Sequence, residues 1–278
     1  VRGPVVDPLD PRLADYRLPR DTDHRARGIF VVEGRLAVRQ LLGHSRFAAR
    51  SVLATEAMAS GLRDLLEGRA CTVPALVASH EVIRAVVGFK FHRGCLAVGE
   101  RGGPLPPPAL FEPPGARTLV VLEGLVDPEN VGAVFRNALA FGVDGVLLSP
   151  GCGDPLTRKA IRASAGGGLR VPFAVMDDWP RGLTALTASG YELVALTPTA
   201  AQELAHRAPP GRCALLLGSE GHGLRPETLA LAATSLRIAM ASGVDSLNVA
   251  TASGIALHHL RRAAPAAGVS PSPPGRCG

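Results

Sequence analysis

The sequence predicts an α/β protein of two units, a small one followed by a larger one built on a mostly parallel sheet. Short apolar runs of strand length alternate with helix-length amphipathic runs along most of the chain. Two of the short runs, Thr118–Leu122 and Ala214–Leu217, are apolar almost throughout, the pattern of strands buried on both faces. A stretch at 101–117 holds six prolines and is read as an extended linker, outside any helix or central strand.

Composition narrows the function classes. With 278 residues, 46% of them hydrophobic, the chain is long enough for two modest cores. It contains no apolar run of about 18 residues, and Val1-Arg2-Gly3-Pro4 lacks the apolar core of a secretory signal, so a cytoplasmic protein is expected. The five cysteines are scattered and odd in number, without Cys-x-x-Cys, which supports neither a disulfide framework nor a zinc site. His258 and His259 are adjacent, so on a helix they point apart and cannot pair on a metal; no metal is expected. The net charge of +6 is almost all arginine, Lys90 and Lys159 being the only lysines, and suits a polyanionic partner.

Residues 1–20 carry prolines and charges without apolar periodicity and are expected to form a surface arm. The small α/β unit spans 21–100. Arg25 and Arg27 precede a strand at Ile29–Val32, and Glu33-Gly34 leads into a helix at 35–42. Strands at 50–54, 75–78 and 95–99 alternate with helices at 57–66 and 80–87. Phe89-Lys90-Phe91-His92-Arg93 interleaves aromatic and basic groups. That pattern can stack on RNA bases and meet phosphates, and it equally suits a half-buried edge strand.

The larger unit is assigned to 118–263. After the strand 118–122 and an Asp127-Pro128 loop, Asn130 stands at a helix start, with Val131, Val134, Phe135 and Ala138 on one apolar face. Arg136 lies off that face among Gly132, Ala133 and Ala140, small neighbours that let another molecule approach the guanidinium. A strand at 145–149 follows, and Arg158, Lys159 and Arg162 then mark a basic helix. Strands at 171–175 and 191–196 come next, the second ending in Thr197-Pro198-Thr199. The strand 214–217 breaks into Gly218-Ser219-Glu220-Gly221-His222-Gly223, where three glycines in six residues indicate close backbone approach. A strand at 235–240 leads to Ser246, read as the N-cap of a helix rich in small residues. Glu220, Ser246 and Asn248 therefore fall at carboxyl ends of strands, where open α/β sheets bind ligands. Residues 264–278, rich in Pro, Gly and Ser, read as a disordered tail.

Three blocks now stand in order: Asn130-Val-Gly-Ala-Val-Phe-Arg136, Leu216-Leu-Gly-Ser-Glu220-Gly-His-Gly-Leu224, and Ile238-Ala-Met240 followed by Ser246-Leu-Asn248-Val-Ala. Together they resemble the three motifs of the SpoU (TrmH-like) RNA 2′-O-ribose methyltransferases of the SPOUT superfamily. The match covers about 117–263, and the unit before it looks like the RNA-substrate-binding domain that often precedes the catalytic one. One position departs from the pattern: Ala239 stands where members commonly have proline. A small change in loop stiffness is expected there, with cofactor binding retained.

The resemblance implies a trefoil-knotted C-terminal fold, against the general rule that chains do not thread loops. It implies S-adenosylmethionine held among the knot loops by Leu196, Gly218, Ile238, Met240 and Leu247, and a homodimer whose site is completed across the interface. Ala250, Ala252 and Gly254 suit close helix packing there as well as packing within one chain. By the same resemblance Arg136 is the central catalytic residue, with Asn130, Glu220, Ser246 and Asn248 positioning it and the ribose. The family assigns Arg136 the part of base, but a guanidinium holds its proton tightly, so a grip on phosphate that orients the hydroxyl is the better physical role. Expected RNA contacts are Arg25, Arg27, Lys90, Arg93, Arg158 and Arg162, with ribosomal or transfer RNA as the partner. Two other readings remain: a catalytically silent RNA-binding protein of the same fold, and a SPOUT enzyme that methylates a base nitrogen.

Overall fold

The computed structural model describes residues 2–18, 20–67, 73–87, 94–113, 118–208 and 210–261. Lys90, Arg93 and the expected tail 264–278 lie outside the described residues.

The first unit is a five-stranded sheet with helices on its faces. In chain order its elements are β1 (Arg2–Val5), α1 (Asp21–Ala26), β2 (Ile29–Glu33), α2 (Arg35–His44), β3 (Ala49–Ala54), α3 (Glu56–Ser60), α4 (Arg63–Glu67), β4 (Ala75–Ala78), α5 (His80–Val87) and β5 (Cys95–Glu100). The strand order is β1-β4-β3-β5-β2, with only β5 antiparallel to its neighbours. The helix expected over 57–66 is two short helices, because Gly61 caps the first.

The N-terminal arm is built into this unit, which corrects the expectation of a surface arm. β1 adds to the sheet edge beside β4, and Val5, Leu13 and Tyr16 are buried with Ile29, Leu53, Ile83 and Leu96. These three apolar residues are spaced too irregularly to show a period, yet each finds the same core.

The second unit follows α6 (Pro108–Phe111), a single turn inside the proline-rich stretch. Proline is tolerated in a first helical turn, where its missing N–H has no partner to lose, so the linker carries a helix after all. Leu110 and Phe111 anchor it in the core beside Leu119, Leu147 and Leu183. The remaining elements are β6 (Thr118–Leu122), α7 (Pro128–Ala140), β7 (Gly145–Leu148), α8 (Arg158–Ala163), α9 (Gly167–Arg170), β8 (Phe173–Val175), α10 (Thr184–Ala188), β9 (Glu192–Leu196), β10 (Gln202–Glu203), β11 (Cys213–Leu217), α11 (Pro226–Leu231), β12 (Thr234–Arg237) and α12 (Val249–Arg261). Their seven strands are all parallel, ordered β10-β12-β9-β11-β6-β7-β8. The late strand β11 enters between β9 and β6 instead of extending an edge, as expected of a chain that passes back among its own loops. Apolar clusters cover both faces of this sheet, which explains its uninterrupted apolar strands.

The two units share a core. Leu156, Ile161 and Leu169 of the second pack with Phe30, Leu42 and Phe47 of the first. Four rings form a line through the junction: Phe30 lies 5.2 Å from Phe47, Phe47 6.4 Å from Phe173, and Phe173 5.6 Å from Phe135. The Arg46 guanidinium covers Phe47 and Phe173 at 4.3 and 4.7 Å, and burial pushes its pKa down to about 10. Arg101 and Asp154 form an ion pair across the same boundary.

Packing between α7 and α8 depends on Gly132. A Cβ added there would lie 2.4 Å from the Ala160 carbonyl oxygen and 2.8 Å from the Ala163 Cβ. Gly132→Ala should therefore destabilise the protein by about 1–3 kcal/mol, the usual cost of overpacking. A urea titration checks this, and an unchanged midpoint would show that the two helices are not in contact.

Candidate functional site

At the carboxyl ends of β9, β11 and β12 the chain opens into three loops that meet around one cavity of about 620 Å³. Parallel pairing puts them side by side: Leu215 of β11 pairs with Val194 of β9, and Ser235 of β12 pairs with Ala195. All five residues expected to hold a cofactor, Leu196, Gly218, Ile238, Met240 and Leu247, line it. Glu220, Ser246 and Asn248 line it as well. Ala239 does not: it is exposed between Ile238 and Met240, which face the cavity.

The loop after β11 is shaped by its glycines. A Cβ on Gly218 would lie 2.1 Å from the Gly223 carbonyl carbon, so only glycine lets the loop fold back this tightly. Gly223 sits at φ +66°, and Ser219 and Gly223 exchange both backbone hydrogen bonds, at 3.2 and 2.9 Å. The turn presents Glu220, Gly221 and His222 to the cavity.

Behind it sits Glu123, a buried carboxylate at the end of β6 that sequence reasoning missed. It accepts hydrogen bonds from Trp179 Nε1 at 2.6 Å, Thr228 Oγ1 at 2.7 Å and the Arg225 backbone N–H at 2.9 Å. Those donors satisfy a charge that would otherwise be costly to bury, and they pin the start of α11 to the sheet. The only sequence signal was an acid placed directly after an apolar run.

A second polar group joins segments far apart in the chain. The Asn248 side-chain oxygen accepts the Ala250 N–H at 2.8 Å, which caps α12. Asn248 Nδ2 therefore donates, to Asn130 Oδ1 at 3.0 Å. Asn130 Nδ2 in turn donates to Glu220 Oε1, and to Asp127 Oδ2 at 3.3 Å. The backbone cap fixes both amide orientations, since a flipped Asn248 would leave the Ala250 N–H facing a donor.

One expected cap and one expected helix start are corrected here. The N-cap of α12 is Asn248, not Ser246, because the two residues after Ser246 remain in the loop. Helix α7 starts two residues before Asn130: its N-cap is Asp127, whose Oδ1 accepts the Glu129 N–H at 3.0 Å. Pro128 at the first helical position favours that earlier start.

Arg136 is not brought to the cavity. It is exposed on α7, six residues after Asn130, and at about 100° per residue the two side chains diverge by roughly 120° around the helix. Among the expected RNA contacts, Arg25 is exposed at the end of α1, and Arg27 pairs with Asp15 at 3.5 Å. Arg162 approaches Glu129 at 3.9 Å. Arg158, in the first turn of α8 after its Thr157 cap, pairs with Asp21 of the first unit at 3.3 Å.

Leu217, Leu224, Leu229 and Val249 complete an apolar wall, with Thr197, Thr199 and His222 as further polar groups. The volume falls in the range of roughly 300–1,000 Å³ usual for small-molecule sites. Apolar walls, glycine backbone and a few polar groups at one rim fit a ligand with a flat ring and a polar tail. Among the described residues no cluster of His, Cys, Asp and Glu could hold a metal, and no helix is long and apolar enough to cross a membrane.

Comparison with known proteins agrees with this geometry. A profile of the SpoU rRNA Methylase family matches residues 117–258. An "uncharacterized tRNA/rRNA methyltransferase" of Mycobacterium bovis is 40% identical, over 93% of this chain and 91% of its own. The 23S rRNA (guanosine-2′-O-)-methyltransferase RlmB of Ralstonia nicotianae is 31% identical over 72% of this chain and 82% of its own. The crystal structure of an AdoMet-bound rRNA methyltransferase from Sinorhizobium meliloti superposes with a TM-score of 0.78 at 25% identity, covering 94% of this chain and 97% of that one. That likeness spans both units and establishes the SPOUT arrangement of the second.

Asn130→Asp keeps the size of the central amide but sets a new carboxylate against those of Glu220 and Asp127. Their repulsion raises one pKa in the folded state, so the variant should lose stability as pH rises through that value and recover it below. The expected deficit near neutral pH is about 1 kcal/mol, since Glu220 is exposed and its charge is screened. Thermal melts at pH 4.5 and 7.5, the first near the carboxylate range and the second about three units above it, test this; an equal loss at the two would rule out the Asn130–Glu220 contact.

Proposed function

The chain belongs to the SpoU rRNA Methylase family, and from that premise we propose that it transfers a methyl group from S-adenosylmethionine to a ribose 2′-hydroxyl of ribosomal or transfer RNA. The observation that carries the reading is the hydrogen-bonded line Glu220–Asn130–Asn248 at the rim of a cavity large enough for the donor.

Leu196, Gly218, Ile238, Met240 and Leu247 would hold the donor against the apolar wall. When bound, it supplies a methyl group on a positively charged sulfur, a carbon already electrophilic. The protein's task is then alignment, which converts an encounter of two molecules into a reaction within one complex. Glu220, Asn130, Ser246 and Asn248 orient the ribose by hydrogen bonds, and Arg136 grips the adjacent phosphate. The aligned ribose oxygen would take the methyl carbon from the donor, which would leave as a neutral thioether, and the hydroxyl proton would pass to solvent.

Arg136 is exposed and outside its own chain's cavity, which supports its presentation by a second copy. The working unit is therefore a homodimer in which each α7 lends Arg136 to the partner's site. The units before β6 contribute RNA contacts.

Incubation with labelled donor and fractionated cellular RNA, followed by nucleoside analysis, tests the reaction. A labelled 2′-O-methyl nucleoside is expected, and a labelled base would replace the reading. Arg136→Ala should reduce transfer at least about a thousandfold, beyond the range of one lost uniform binding contact, while donor affinity stays near wild type. Mixing Arg136→Ala with Gly218→Val chains should restore about a quarter of wild-type activity, since half of randomly assembled dimers are hybrids with one complete site each. No recovery on mixing would show that each site uses its own arginine.

A further inference from the structure

A second concavity, of about 280 Å³, opens where the two units meet. One wall is the turn from β2 into α2, with Glu33 and Arg35; the other is the end of α8 and the turn after it, with Arg162, Ala165 and Gly166. Two arginines from different units thus line one cleft, opposed by a single carboxylate. Arg35 is exposed and has no ion pair among the described residues. Arg162 has only the long contact to Glu129, which Lys159 shares at 3.5 Å. Neither cation is neutralised at close range, so both retain charge for an incoming anion.

The turn itself is held in an unusual shape. Ala165 is the only non-glycine residue with positive φ among the described residues, at +49°, a conformation that its Cβ disfavours. The same turn connects the cleft to α7. Gly166 lines the cleft, and a Cβ on the next residue, Gly167, would lie 2.6 Å from the Phe135 carbonyl oxygen and 3.2 Å from the Arg136 N. One short turn therefore separates the cleft from the helix position that carries Arg136.

We propose that this junction cleft, lined by Arg35 and Arg162, holds a backbone phosphate of the RNA at a nucleotide flanking the one that is methylated. The proposal deepens the reading above and rests on it. Its size admits a phosphate with its sugar, and its position makes docking of the two units part of the substrate site. Neither unit alone supplies both guanidinium groups.

The test measures RNA affinity of the full-length protein by fluorescence anisotropy across a salt series, using the RNA fraction that it methylates. Arg35→Gln/Arg162→Gln should bind that RNA roughly tenfold more weakly and with a salt slope lower by about 1, while donor affinity stays unchanged. Glu33→Gln, which keeps both arginines, should move affinity the other way, by about two- to threefold tighter; a merely structural role would not produce opposite signs. Unchanged affinity and slope in the arginine variant, with methyl transfer intact in the wild type, would overturn the cleft and leave the function standing. Wild-type protein that neither binds nor methylates RNA would overturn both.

Discussion

The cavity owes its shape to one hydrogen-bonded line whose polarity cannot be reversed. Asn248 must give its oxygen to the Ala250 N–H, so its amide nitrogen faces Asn130; the Asn130 oxygen is then filled, and its own nitrogen reaches Glu220. Segments about 90 and 118 residues apart are locked together by a direction set at a helix cap. Each neutral bond contributes on the order of 1 kcal/mol net, and the one to the carboxylate more. That is modest against a whole domain, but it ties the loop after β11 and the loop before α12 to the start of α7.

The parallel sheet determines that those loops meet at all. With β11 between β9 and β6, and β12 beyond β9, the ends of three strands face one direction. Glu123 then secures the loop after β11 from beneath, since its carboxylate gathers donors from Trp179, Arg225 and Thr228. The arrangement separates two tasks: buried charge stabilises the scaffold, while the exposed carboxylate of Glu220 faces the cavity.

The junction of the two units is itself a buried apolar core, where Phe30, Leu42 and Phe47 meet Leu156, Ile161 and Leu169. The ring series from Phe30 to Phe135, covered by Arg46, leaves little freedom for one unit to turn on the other. It also absorbs positive charge that composition alone assigned to RNA: Arg101 and Arg158 pair with Asp154 and Asp21. A net charge of +6 therefore overstates the number of cations presented to a polyanion.

Apolar period and glycine placement were local properties, and they were legible. The strands Ala75–Ala78 and Thr118–Leu122 and the helix His80–Val87 fall where their patterns put them. The loop after Leu217 and the residues Leu196, Ile238, Met240 and Leu247 were marked by motif and line the cavity. What sequence alone misjudged depended on partners distant in the chain. Val5, Leu13 and Tyr16 look like an arm until β4 offers an edge to pair with. Ser246 and Asn130 are as good capping residues as Asn248 and Asp127, and only the positions of Glu220 and the helix axes choose between them. The sequence by itself determined which segments are strands, helices and tight loops, because those follow from neighbours a few residues away. Tertiary structure alone decided that Asn130 meets Glu220 and Asn248 at the cavity rim while Arg136 faces solvent, because a rigid helix packed on two sides has one rotation about its axis and every side chain must follow it.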